Sequence, residues 1–120
     1  MNAERKEQLT QGGIDVDSAL ERLMGSEALL EKFLNKFVQD GNYSALEAAM
    51  AAGDWEEALR ASHTLKGMCG NLSMTVLYDL FTRQVNAIRA EDRAGAAALM
   101  EEISPAYRAA CGAVAGGEQA

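Results

Sequence analysis

The stretch "AAGDWEEALRASHTLKGMCGNLSM", residues 51–74, decides the fold. Asp54 followed three residues later by Glu57 is a capping box: the aspartate accepts from the first free backbone amides and the glutamate reaches back, so a helix begins here. Gly70-Asn71 is the matching stop. Between them Ala58, Ala61, Leu65, Met68, Cys69 and Leu72 gather on one side of a wheel turning about 100° per residue, a stripe that needs burial. His63, the one histidine of the chain, falls on the opposite side. Lys66, Gly67 and Gly70 lie within about 60° of it. The spacing predicts a long amphipathic helix whose imidazole faces water.

Working outward, Met1 to Gly12 is polar and is expected to be a frayed, flexible N-terminus. Val16, Ala19, Leu20 and Leu23 mark a short first helix that stops at Gly25. Ser26 can cap the next, which carries Leu29, Leu30, Phe33, Leu34, Phe37 and Val38. Gly41 and Asn42 interrupt it, and Tyr43, Leu46, Ala49 and Met50 continue the period to Gly53, as its bent end or as a separate short helix. Beyond the histidine helix, Val76, Leu77, Leu80, Phe81, Val85 and Ile88 mark a helix running to about Glu91. A last one carries Ala97, Leu99, Met100, Ile103, Tyr107, Ala110 and Val114, and Pro105 is expected to kink or split it.

No strand-like alternation competes with this pattern. Four helices of about 14 to 20 residues on short connections predict an all-α fold, an antiparallel up-down-up-down four-helix bundle with a short additional N-terminal helix across one end. The expected domain spans residues 13–116, with a flexible tail at 117–120. A chain of 120 residues suffices for one domain with a sizeable core, and no Pro/Gly-rich linker marks a second.

Acidic residues number 18 against 11 lysines and arginines, a net charge of −7, which repels phosphate backbones and anionic bilayers and argues against nucleic acid or a membrane as partner. The polar first dozen residues resemble neither a signal peptide nor a membrane span, so a cytoplasmic location is expected. There a reducing pool keeps Cys69 and Cys111 as two buried thiols.

The chemistry concentrates on the histidine face. A glycine inside a helix costs roughly 1 kcal/mol relative to alanine, so glycines on an exposed face suggest that something uses the missing side chains. Gly67 clears space one turn from His63, and Lys66 brings a positive charge. An imidazole in water is largely neutral near neutral pH and therefore nucleophilic. The set suits an anion arriving on nitrogen. Leu59, one turn before His63 on the same side, suits a docking patch. Competing classes are weaker. No G-x-x-x-x-G-K-[ST] is present for ATP, no serine or aspartate shares the face for a hydrolase triad, and Met68 and Cys69 point away from any metal site with His63. No carboxylates gather at metal-ligand spacing, so no cofactor or metal is expected. A bundle that only binds partners remains the alternative, and Lys66 with two same-face glycines argues against it.

"SHTLKGMCGNLSM" resembles the phosphorylation motif of histidine-containing phosphotransfer (HPt) domains of two-component phosphorelays. "GIDVDSALERLMGSEALLEKFLNKF" and "AAGDWEEALRASHTLKG" resemble the approach to it in that family. The likeness runs from about Gly13 to Val114. It implies a four-helix bundle whose exposed histidine, here His63, takes a phosphoryl group from a receiver-domain aspartate and gives it to another. It further implies that Lys66 positions the phosphoryl oxygens and that Gly67 provides steric clearance, with Gly70 beside them. The implied partners are response-regulator receiver domains, including that of a hybrid sensor histidine kinase, which hold the magnesium; the chain itself would act as a monomer without kinase activity. Met68 departs from the small residue common after the lysine-glycine pair. Some members place a glutamine on the next helix to bond the active imidazole; Gln84 lies near that location, although the count puts Val85 at the position itself.

Overall fold

The computed structural model describes residues 1–116 and consists of eight helices: α1 (Ala3–Gln11), α2 (Val16–Arg22), α3 (Glu27–Gln39), α4 (Asn42–Ala52), α5 (Trp55–Asn71), α6 (Thr75–Arg89), α7 (Arg93–Ala98) and α8 (Met100–Gly116). They form an all-α bundle of four columns, made by α3 with α4, by α5, by α6, and by α7 with α8. Each turn between columns is short, which makes neighbouring columns antiparallel. Leu30, Leu34, Phe37, Leu46, Leu65, Leu77, Phe81 and Ile103 fill the interior.

The capping signals act where the sequence places them. Asp54 accepts from the Glu57 amide at the start of α5, and Ser26 accepts from the Leu29 amide at the start of α3. Gly53, at φ 70°, closes α4 in the left-handed region that glycine enters without strain, and the Asp54 amide then bonds the Ala49 carbonyl. The expected interruption at Gly41-Asn42 separates α3 from α4. Tyr43 rejoins that column to α8: its ring stacks on Tyr107 at 3.8 Å and its hydroxyl lies 2.7 Å from that of Ser104.

Three expectations need correction. The stretch expected to fray forms α1, because its polar residues reach partners that local sequence does not show. Leu9 is fully buried. The half-buried Arg5 guanidinium bonds both Glu31 oxygens on α3, the Gln8 side chain and the Ala113 carbonyl of α8. The break in the last column falls at Leu99 and not at Pro105, which lies within α8. At that break the Ala96 carbonyl, which a Met100 amide would take in an unbroken helix, accepts from the Gln84 side chain at 3.2 Å. Of the two thiols Cys69 is buried, but Cys111 is only half-buried. The tail expected at 117–120 lies outside the described residues. Among the described residues no helix is long and apolar enough to cross a membrane.

The N-terminal segment also fixes the turn that follows the histidine helix. Ile14 pairs with Met74 in an isolated bridge, the Asp15 amide donates to the Ser73 carbonyl at 2.9 Å, and the Ser73 hydroxyl meets that of Ser18 at 2.9 Å. These contacts clip α2 to the turn between α5 and α6.

Candidate functional site

His63 stands near the middle of α5, more than two turns from either end, so its backbone is held by intact helical hydrogen bonds. Ala58, Ala61, Leu65, Cys69 and Leu72 bury the opposite side of the helix, while His63 and Gly67 are exposed and Lys66 is half-buried. The ring therefore faces solvent on a rigid element, as the spacing predicts. Met68 packs against the core as expected but is only half-buried, at the edge of the apolar stripe.

The two glycines differ. A β-carbon at Gly67 would meet nothing within 4 Å, whereas one at Gly70 would come within 3.0 Å and 3.1 Å of two carbons of the Tyr78 ring. Space beside His63 is thus open at Gly67 and already filled at Gly70. The same ring lies 6.0 Å from the Lys66 ammonium, measured to its centroid.

His63, Lys66, Gly67 and Gly70 line an open depression of about 520 Å³, together with Tyr78 and Thr75 of α6 and with Ser18 and Arg22 of α2. Two cations, Lys66 and Arg22, border it. Thr75 is the first residue of α6, so the partly positive end of that helix reaches the same rim. An anion is favoured here although the whole chain is acidic.

Cys69 is the thiol among the lining residues. Burial pushes its thiol up to about 12, with neighbouring Cys111 adding to the effect. It stays protonated near neutral pH and is not activated as a thiolate. Among the described residues no three His, Cys, Asp or Glu side chains gather to hold a metal ion.

Two further candidates fall elsewhere. Leu59 is half-buried against the core and outside the depression. Gln84 is fully buried, and it is corrected from a partner of the imidazole to a core residue. Its oxygen accepts from the Ser62 hydroxyl at 2.8 Å, and its amide nitrogen lies 3.2 Å from the Ala96 carbonyl and from the Met100 sulfur. Those partners engage both N–H donors and one lone pair of the carboxamide, inside the core and away from the exposed His63 ring. Conversely, Arg22, Ser18 and Tyr78 enter the depression without having been singled out. Tyr78 carried a signal, an aromatic side chain off the apolar stripe of α6. Arg22 and Ser18 carried none, because only the clip between α2 and the Ser73 turn brings them close.

The sequence model of the Hpt domain family matches residues 28–116; no curated protein and no solved structure matches the chain. The matched span holds nearly all of α3 and all of α4 to α8, including His63, Lys66 and Gly67, and leaves α1 and α2 outside. The chain belongs to the Hpt domain family, the phosphotransfer modules of two-component phosphorelays.

Proposed function

We propose that His63 is the residue phosphorylated in the relay, taking a phosphoryl group from the aspartyl phosphate of one receiver domain and passing it to an aspartate of another. The outer ring nitrogen, Nε2, attacks phosphorus while Nδ1 keeps its proton. The N–P bond forms as the acyl phosphate P–O bond breaks, and the aspartate leaves as a carboxylate. Onward transfer reverses these events with a new carboxylate as nucleophile.

Phosphoryl transfer of this kind depends on in-line placement and charge neutralisation more than on covalent help from the protein. α5 supplies the placement. Lys66 neutralises charge on the phosphoryl oxygens, and Gly67 leaves room for the group and for the receiver surface that delivers it. Magnesium belongs to the receiver, and no ATP chemistry is assigned to this chain. Its partners are receiver domains, among them that of a hybrid sensor histidine kinase, met by a monomer in the cytoplasm.

The observation that carries the reading is the exposed imidazole of His63 beside a lysine and a glycine whose missing side chain leaves open space. The test is to mix the protein with a receiver domain charged with radiolabelled acetyl phosphate and magnesium. Acid-labile, base-stable label is expected on the wild type and none on His63→Gln. Equal label on both proteins overturns the reading.

A further inference from the structure

We infer that Tyr78 is a positioning residue of this site: its ring holds the Lys66 ammonium at the depression, and position 70 is a glycine because that ring lies against it. The inference rests on the role proposed for His63 and adds a residue to it.

The core does not require this tyrosine. The buried stripe of α6 is made by Leu77, Leu80, Phe81, Gln84, Val85 and Ile88, and Tyr78 is 43% exposed. What it touches lies on α5. Its Cε1 and Cδ1 atoms occupy the place where a side chain at position 70 would begin, at 3.0 Å and 3.1 Å from an ideal β-carbon. A larger residue there would push the ring out toward solvent. With the ring in place, the Lys66 Nζ lies 6.0 Å from its centroid, within the range where a cation is drawn to an aromatic face. Lys66 enters no salt bridge among the described residues, so the ring is the group that limits where its long chain goes.

A lysine is a point charge on four rotatable carbons, and ordering it costs entropy unless something else has already confined it. In a reaction governed by placement, confinement before the phosphoryl group arrives is an advantage. Tyr78, Gly70, Lys66 and His63 line one depression, so the confined ammonium stays beside the ring that receives phosphorus. The two glycines then have separate duties: Gly67 is bare for the incoming group, and Gly70 is bare for the tyrosine.

The test has two readouts. In the unphosphorylated protein, NMR should show the Lys66 ε-methylene protons shifted upfield by the ring current. The shift should persist in Tyr78→Phe, disappear in Tyr78→Leu and be reduced in Gly70→Ala. This needs no receiver, and resonances unchanged in Tyr78→Leu overturn the inference. In transfer from the charged receiver, Tyr78→Leu should slow labelling about two- to fivefold, the span expected for an exposed cation–π contact, and Tyr78→Phe should restore it. In a Lys66→Met background, Tyr78→Leu should slow transfer no further. A full penalty from Tyr78→Leu in that background overturns the inference, since Tyr78 would then act on the partner directly. If His63→Gln still takes up label, the reading of His63 fails. If His63→Gln is inert while Tyr78→Leu keeps both the wild-type rate and the wild-type shift, only the present inference fails.

Discussion

Ser62 and His63 are adjacent in the chain, about 100° apart around α5, and one is buried while the other is exposed. Ser62 is fully buried and donates to Gln84, which in turn bonds the Ala96 carbonyl, so the inward polar cluster is closed. His63 is exposed at an open depression with Lys66 and Gly67. A buried cluster must satisfy its own polar groups, because an unpaired one there is costly. Water can satisfy an exposed cluster, which leaves its groups free for a ligand. The proposed function draws on the cluster whose partners come from outside.

Removing the imidazole breaks the comparison most sharply. His63→Gln should abolish phosphoryl uptake with no change in thermal midpoint, because an exposed ring without core contacts contributes little to folding. Helical circular dichroism and label uptake, measured on the same preparation, check both halves. A variant that unfolds would show that the outward cluster also supports the bundle, contrary to its exposure.

Gly67→Gln comes next. A β-carbon there meets nothing within 4 Å, so the substitution should raise stability slightly through better helix propensity, by up to about 1 kcal/mol. It should also slow transfer about ten- to a hundredfold by displacing the incoming group, the penalty that a misplacement of about 1 Å can carry. Opposite signs in denaturant midpoint and transfer rate are the expected outcome. Gly70→Ala should behave differently, because its new methyl meets Tyr78 instead of open space.

The inward cluster answers in the other currency. Ser62→Ala leaves the Gln84 oxygen buried without its donor and should cost about 1 to 3 kcal/mol of stability, read as a fall in urea midpoint. The transfer rate should not change. Adding Gln84→Leu should deepen the loss, since the leucine no longer donates to the buried Ala96 carbonyl. A slowed transfer in Ser62→Ala would mean that the two sides of α5 are coupled.

The contrast also marks what local sequence could tell. The Asp54 cap, the apolar stripe of α5 and the outward direction of His63 were legible because each depends on spacing along one helix. Gln84 was not: whether a side chain near the register of the histidine turns toward it or toward Ser62 depends on how α6 packs against α5. α1 was missed for the same reason. Its polar sequence lacks a stripe, and the groups that hold it, Glu31 and the Ala113 carbonyl, lie 26 and 108 residues from Arg5. Pro105 misled because a proline signals a break only on average, and here the break follows the Ala96 carbonyl that Gln84 engages. Arg22 reached the site through the bridge between Ile14 and Met74, which no pattern within α2 announces.

Titration offers the smallest and last way to sharpen the comparison, through Cys69, on the same helix and six residues after His63. Burial holds its thiol protonated in the folded state up to about 12, against 9.0 for the free group. Between those values the unfolded chain has lost the proton and the folded one has kept it. The unfolded state therefore binds fewer protons, and stability falls as pH rises. One such group lowers unfolding free energy by about 1.4 kcal/mol at pH 10, one unit above its unfolded value. Tyr43, Tyr107 and Cys111, also raised by burial, add to the fall in the same direction. Urea unfolding at pH 8 and pH 10 should show a drop for the wild type that is smaller by about that amount in Cys69→Ala. Equal drops in the two proteins would show that the thiol meets water, and that the apolar side of α5 is less closed than its packing indicates.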